Sequence, residues 1–220
     1  MRDPGGTLAD ALQKPVFRGL LHQYAAPTAL GAGLVLVAIA PTGRASVAVA
    51  VFAASLVLQF GVSALLHRGD WTLPAENWIR RVDHASIFVL IAGTYTPVAL
   101  IGLPVGQGES LLQFVWGGAA LGILYCVLNL QGPKWWRAGL ALALGWSIAP
   151  YIGELRAAAG DPTLGLLVAG GAIYTLGALV YATERPTLWP ATFGFHEAFH
   201  AATVAAAALH FASVFALVTA

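Results

Sequence analysis

The chain has 220 residues, of which 58% are hydrophobic and only 10% are charged. One soluble core of this size is too small to bury so much apolar surface, so the composition excludes an ordinary water-soluble domain and predicts that lipid is the solvent. The net charge of +1 gives no indication of a nucleic-acid partner, and none is predicted.

The N-terminal segment carries charged residues and glycines ahead of the first long apolar stretch. It lacks the short apolar core and the small-residue cleavage site that are typical of a secretory signal peptide. We therefore expect residues 1–18 to form a cytosolic tail.

Seven stretches without Asp, Glu, Lys or Arg follow. Their ranges are 19–43, 45–67, 84–108, 110–133, 138–153, 162–183 and 198–220. Six of them are long enough to cross a hydrocarbon core of about 30 Å, which takes about 20 helical residues. The fifth is shorter, but Trp135 and Trp136 before it and Tyr151 near its end are typical of membrane interfaces.

The pattern predicts an all-α integral membrane protein, folded as one domain that is a bundle of seven transmembrane helices. The predicted spans are about 19–41, 45–67, 83–104, 110–131, 135–153, 163–183 and 196–218. Internal glycines and prolines do not contradict these spans, because membrane helices use small residues for close packing.

The distribution of basic residues predicts the orientation of the bundle. With a cytosolic N-terminus, nine Lys and Arg residues lie on the cytosolic side and two lie outside, and the opposite orientation would invert this bias. The nine are Arg2, Lys14, Arg18, Arg68, Arg80, Arg81, Lys134, Arg137 and Arg185, and the two are Arg44 and Arg156. We expect the N-terminus to be cytosolic and the C-terminus to be outside.

Three segments that are distant in sequence place polar residues at the cytosolic ends of their spans. Ser63 and His67 lie at the end of the second span, Asp83 begins the third, and His196 and His200 begin the seventh. Polar groups at such a depth are costly, and they are usually paired or functional. This convergence predicts a functional site at the cytosolic side of the membrane.

The residue types and their spacing predict a zinc site. His196 and His200 are four residues apart, so on a helix both imidazoles point to one side and can share a metal ion. His67 would complete a set of three histidines, which leaves one tetrahedral position for water, as in catalytic zinc sites. Asp83 could take a proton from that water, and Ser63 could hydrogen-bond to it or to a substrate carbonyl. We predict Zn²⁺ ligands His67, His196 and His200 and catalytic residues Asp83 and Ser63.

Each of these residues also has a structural interpretation. A buried histidine is often only a packed, hydrogen-bonded residue, Ser63 could be a helix-packing hydroxyl, and Asp83 could favour the N-terminus of its helix. His22 and His210 lack a partner at ligand spacing, so we assign them the structural role. His84 points about 100° away from Asp83 on a helix and is left out of the predicted site.

Residues 196–200 read His-Glu-Ala-Phe-His, the H-E-x-x-H pattern of zinc proteases in which the glutamate is the general base. The pattern supports a competing hypothesis, an intramembrane metalloprotease. Such an enzyme needs a third ligand, and since no Asp or Glu follows Glu197, His67 or Asp83 would have to supply it. Glu197 could instead lie at the membrane interface, where a carboxylate suits the start of a helix.

Several short motifs follow one another in a specific order. They are Ser63-Ala-Leu-Leu-His67, Val82-Asp83-His84, Gly93-Thr94-Tyr95-Thr96-Pro97, His196-Glu197-Ala198-Phe199-His200 and His210-Phe211. This order resembles the hemolysin III family, a bacterial branch of the progestin and adiponectin receptors that is grouped more loosely with the alkaline ceramidases. The resemblance covers the second to the seventh span and implies a protein of the bacterial cell membrane.

The resemblance also implies a site and two classes of function. It implies seven helices, a cytosolic N-terminus and zinc held by His67, His196 and His200, with Asp83 and Ser63 close to the metal-bound water. Adiponectin receptors and alkaline ceramidases are linked to hydrolysis of the ceramide amide, whereas the bacterial members take their name from lysis of red cells. We expect a zinc-dependent hydrolase that acts on a membrane lipid amide or ester at the cytosolic leaflet. The alternative is a pore-forming or signalling membrane protein with a structural zinc.

Overall fold

The structure is a computed structural model that describes residues 15–129, 134–189 and 191–219. Most of the predicted cytosolic tail therefore lies outside the described residues. Within these ranges all regular elements are helical, which confirms the predicted all-α class. The helices are α1 (Leu20–Ile39), α2 (Arg44–Arg68), α3 (Leu73–Gly102), α4 (Gln107–Val127), α5 (Lys134–Gly145), a 3₁₀ turn (Ala149–Tyr151), α6 (Ile152–Thr183) and α7 (Phe195–Thr219).

Six helical stretches among the described residues are long and apolar enough to cross a membrane. Five of them are α1, α2, α3, α4 and α7, and the sixth is the stretch Trp135–Thr183, which contains most of α5, the 3₁₀ turn and α6. Helix α5 has 12 residues. It is therefore about 18 Å long, too short to cross a core of about 30 Å alone. Separate fifth and sixth spans, and with them the count of seven, stay a prediction.

Helix α6 contains a break close to its beginning. Gly160 has φ 76° and ψ 167°, which is not helical, and Pro162 follows it within the first turn of the next helical segment. Residues 161–183 are the part of α6 that is long enough to cross the hydrocarbon core.

The end of α5 is held by the side chain of a residue on α3. The hydroxyl of Tyr95 donates a hydrogen bond to the carbonyl of Gly145 at 2.7 Å and accepts one from the N–H of Ile148 at 2.9 Å. Backbone groups that leave a helix within a membrane need such partners, because lipid offers none. Tyr95 thereby stabilises the irregular connection between α5 and the 3₁₀ turn.

Helix α3 lies at the centre of the bundle and is buried along most of its length. It packs extensively against α2 and α4, and α7 packs against α6 and also contacts α1, α2 and α3. Gly93 allows the close approach of α3 to α2, because a Cβ atom there would clash with the hydroxyl of Ser55. Many large apolar side chains of α1 and α4 point outward, as expected for a surface solvated by lipid.

Ion pairs show which helix ends lie together. Arg44 contacts Glu109, which brings the starts of α2 and α4 to the same end of the bundle. Arg18, just before α1, contacts Glu197 at the start of α7. The end of the bundle that holds Arg18 and Glu197 also holds His67, near the C-terminus of α2. Which end faces the cytosol stays a prediction.

Candidate metal centre

The structure brings His67, His196 and His200 together at one end of the bundle. His67 lies in the last turn of α2, and the other two lie one helical turn apart at the start of α7. The spacing of four residues puts His196 and His200 on one face of α7, where their ring centroids are 4.5 Å apart. Packing of α7 against α2 then supplies the third imidazole, with centroids 4.8 Å and 5.1 Å from the other two.

The ring nitrogens of the three histidines have the separation that a shared metal ion requires. One nitrogen of each ring lies within 4.8 Å of those of the others, and Nε2 of His196 is 3.2 Å from Nε2 of His67. A tetrahedral zinc with bonds of about 2.05 Å holds its ligand nitrogens about 3.3 Å apart, so this pair fits two ligands of one ion. His200 is buried and the other two are half-buried. The three histidines could therefore hold a metal ion.

Asp83 and Ser63 lie beside this cluster in one cavity. The cavity has a volume of about 180 Å³ and is also lined by His196 and His200. The Ser63 hydroxyl interacts with the Asp83 carboxyl group. Oδ1 of Asp83 is buried and has no hydrogen-bond partner among the described residues. An unpaired buried carboxylate oxygen in such a cavity is costly unless a bound molecule supplies its partner.

The rest of the cavity wall is mostly apolar. It extends along α3 to Tyr95, along α6 to Gly171 and along α7 to His210. His196 and His210 are fourteen positions apart on α7, which corresponds to about 21 Å of helix. A cavity with polar groups at one end and apolar walls beyond them fits a molecule with a polar head and an apolar chain.

Glu197 points away from the histidine cluster, although it stands between His196 and His200 in the sequence. One carboxylate oxygen contacts Arg18, and the other accepts the N–H of Gly194 at 2.8 Å. Glu197 is thus the third residue of α7 and binds back to the residue just before the helix, as in a capping box. Both oxygens are engaged in holding the start of α7, which argues against a role as the general base of a protease.

Sequence reasoning assigned His22 a purely structural role, and the structure places it against the cluster. Its ring stacks on that of His200, with centroids 4.0 Å apart and an angle of 6° between the planes. His22 also lines the cavity, and neither ring nitrogen has a hydrogen-bond partner among the described residues. The sequence did contain a signal for the position of His22. This residue lies at the start of the first span, at the same predicted membrane depth as the other site residues.

The stack predicts that His22 orients the ring of His200. His22→Ala should weaken zinc binding about 10 to 100-fold, as is usual when a group that orients a ligand is removed. His22→Phe keeps a flat ring and should bind zinc within a few-fold of wild type. Zinc affinities can be measured by competition with a chelator. Equal losses in the two variants would mean that the ring nitrogens matter, and no loss in His22→Ala would exclude the orienting role.

Two further histidines, His84 and His210, line the cavity, although the sequence analysis placed neither of them in the site. His84 was left out of the site, yet it lines the same cavity as Asp83, because the cavity extends around this part of α3. Nδ1 of His84 lies 3.3 Å from Nη1 of Arg137 on α5. His210 has Nε2 3.1 Å from the carbonyl of Leu167, a contact that suits the structural role assigned to it.

The fold and the site define an integral membrane protein, a helical bundle with a histidine cluster and a carboxylate at one end of an internal cavity. Residues 11–211 match the family described as Haemolysin-III related. The chain belongs to this family, as the motifs in the sequence predicted.

Three relatives illustrate the range of similar proteins. Hemolysin-3 from Bacillus cereus is 33% identical over 146 residues, which are 66% of this chain and 65% of that protein. A Hemolysin-3 homolog from Bacillus subtilis (strain 168) is 30% identical over 135 residues, 61% of this chain and 63% of that one. Heptahelical transmembrane protein 4 from Arabidopsis thaliana is 32% identical over 149 residues, 60% of this chain and 38% of that one. The chain thus spans a little less than two thirds of the length of the bacterial relatives.

Proposed function

We propose that this protein is a zinc-dependent hydrolase that cleaves an amide or ester bond of a membrane lipid. The proposal rests on three converging imidazoles, two of which line one cavity together with an unpaired carboxylate oxygen of Asp83. Three histidines are the donor set of catalytic zinc sites, and a nearby carboxylate is what a hydrolase requires of its general base. A structural zinc site usually has four protein ligands.

Each residue of the site has a separate role in the proposed hydrolysis. His67, His196 and His200 would hold the ion, and zinc bound there would supply a Lewis acid that polarises a carbonyl group and makes water a nucleophile at neutral pH. Asp83 takes the proton of the attacking water and later returns it to the leaving group. The hydroxyl of Ser63 orients the Asp83 carboxylate or the substrate carbonyl, and the apolar walls hold the lipid chain.

The proposed topology is seven spans with a cytosolic N-terminus, so that the metal centre opens toward the cytosolic leaflet. The nine-to-two bias of basic residues supports this orientation. The break at Gly160 supports two separate crossings in the stretch Trp135–Thr183, and the name of the Arabidopsis relative, Heptahelical transmembrane protein 4, describes seven helices. For a relative of Bacillus proteins the membrane would be the bacterial cell membrane.

A direct test measures fatty acid release by the detergent-purified protein. Saturated lipid amides and esters of several head groups are incubated with zinc-loaded protein, and the released acid is measured by mass spectrometry. Release should stop after treatment with a chelator and return when zinc is added. Protein that contains zinc yet releases no acid from any amide or ester would contradict the proposal.

A second candidate function is membrane lysis with a structural zinc. The names of the two Bacillus relatives favour it, since both are called hemolysins. Lysis of red cells or of dye-filled vesicles by the purified protein would measure it. Lysis that needs the histidine cluster but is unchanged in Asp83→Asn would favour a structural ion, because a pore has no use for a general base.

The protease alternative makes a different prediction for Glu197. Glu197→Gln weakens the partly buried ion pair with Arg18, so we expect it to lower the free energy of unfolding by about 1 to 3 kcal/mol. Zinc content and lipid hydrolysis at low temperature should stay close to wild type. Thermal unfolding, elemental analysis and the release assay measure these three properties. Normal zinc and stability with complete loss of hydrolysis would instead make Glu197 the general base.

A further inference from the structure

The cavity wall contains two residues with formal charge among the described residues, Asp83 and Arg137. Asp83 belongs to the metal centre, and Arg137 has no part in the mechanism proposed above. It lies in the first turns of α5, opposite α3, and its side chain is half-buried. Among the residues that the structure describes, no carboxylate forms an ion pair with Arg137. A guanidinium group held in a mostly apolar cavity without a counter-ion calls for a partner.

The contact of Arg137 with His84 determines the state of both groups. A guanidinium group can only donate hydrogen bonds, so Nδ1 of His84, 3.3 Å from Nη1 of Arg137, must be the acceptor. The ring of His84 then carries its hydrogen on Nε2. This contact uses one of the five N–H groups of Arg137. Because His84 is the neighbour of Asp83 in the sequence, the contact holds the guanidinium group near the metal centre. The pair presents N–H donors and a positive charge at the polar end of the cavity.

The two other arginines at this end of α3 are engaged elsewhere. Arg80 contacts Glu76, one turn before it on the same helix. Arg81 lies over the ring of Trp78 and donates to the carbonyl of Val127 at 3.3 Å. Neither lines the cavity. All three arginines contribute to the positive charge that orients the protein in the membrane. This contribution does not explain why Arg137 alone of the three lines the cavity.

We propose that Arg137 and His84 form a binding site for an anionic group, the carboxylate or phosphate of a lipid head group. This inference rests on the proposed function and narrows its substrate class to acidic lipids with an amide or ester bond. The head group binds at Arg137 while the bond to be cleaved lies at Asp83 and the metal centre, and the acyl chain follows the apolar wall. Arginine suits this role because its planar donors match the two oxygens of a carboxylate or phosphate.

The test compares three amphiphiles with the same acyl chain and the same amide. N-lauroylglycine carries a carboxylate, N-lauroyl-O-phosphoethanolamine carries a phosphate, and N-lauroylethanolamine carries no charge. Their binding to the full-length protein in a non-ionic detergent is measured by calorimetry. Zinc-loaded and chelator-treated protein are compared, because a zinc ion could itself attract an anion.

The wild-type protein should bind at least one of the two anionic compounds about 10-fold more tightly than the uncharged one, in the presence and in the absence of zinc. The compound that binds more tightly identifies the head group as carboxylate or phosphate. Arg137→Gln should remove the preference while the uncharged compound binds as before. Arg80→Gln is the matched control, since it removes the same charge from the same end of the bundle outside the cavity, and it should keep the preference.

Three results would overturn the proposal. They are equal binding of charged and uncharged compounds by the wild type, a preference that survives in Arg137→Gln, and a preference that exists only in zinc-loaded protein. The measurement needs no turnover. A missing preference would therefore leave the hydrolase proposal standing, whereas wild-type protein that binds no zinc would contradict the hydrolase and leave this site intact.

Discussion

Asp83→Asn is expected to leave the zinc content of the protein unchanged and to lower kcat for lipid hydrolysis by about 10² to 10⁴-fold. The asparagine side chain has nearly the same size as the aspartate, so the contact with Ser63 and the packing of α3 should persist. An amide does not accept the proton of an attacking water at neutral pH, so the substitution removes the proposed general base and leaves the three proposed metal ligands in place.

The comparison needs a substitution that has the same chemistry at a remote position. Asp161→Asn provides it, because Asp161 forms an exposed ion pair with Arg156 outside the cavity. Zinc per chain is measured by elemental analysis, and kcat is measured with the best substrate of the lipid screen. Unchanged turnover in Asp83→Asn would exclude a general base at this position, and loss of zinc would mean that Asp83 helps to hold the ion.

The second large effect concerns the metal itself. His67→Ala and His200→Ala should each weaken zinc binding by roughly 100-fold or more, since removal of residues that only support a ligand already costs about 10 to 100-fold. Wild-type protein purified without added zinc should carry one ion per chain, and both variants should lose it. We also expect zinc to raise the unfolding temperature of the wild type and not that of the two variants, because a ligand that binds only the folded state stabilises it.

His210→Ala is the control for these two variants. His210 is a half-buried histidine of α7 at the far end of the cavity, outside the cluster, and its substitution should keep the ion. Gel filtration shows whether each variant is folded and monodisperse, and His200→Gln repeats the test with a side chain of similar size. Wild-type protein without zinc, or zinc unaffected by His67→Ala in folded protein, would exclude a site shared by α2 and α7.

The membrane class and the helical architecture followed from the sequence alone. Charge-free stretches of about 20 residues have few stable forms other than helices in lipid, since every backbone group needs an internal partner there. The region between Trp135 and Thr183 was harder to predict, because its helices are interrupted. Gly160 and Pro162 are local signals for the break in α6. The contact of Tyr95 with the backbone after α5 depends on neighbouring helices, and no local pattern predicts it.

The sequence by itself determined that His67, Asp83, His196 and His200 could meet, because helix periodicity and the alternation of spans fix the face and the depth of a residue. Only the tertiary structure decided which other residues lie beside these four. The packing of α1 and α5 against the other helices stacks His22 on His200 and sets Arg137 against His84. It also turns Glu197 toward Arg18 and away from the cavity. The physical reason is that depth and helix face limit where a residue can lie, whereas its contacts depend on which helices are neighbours.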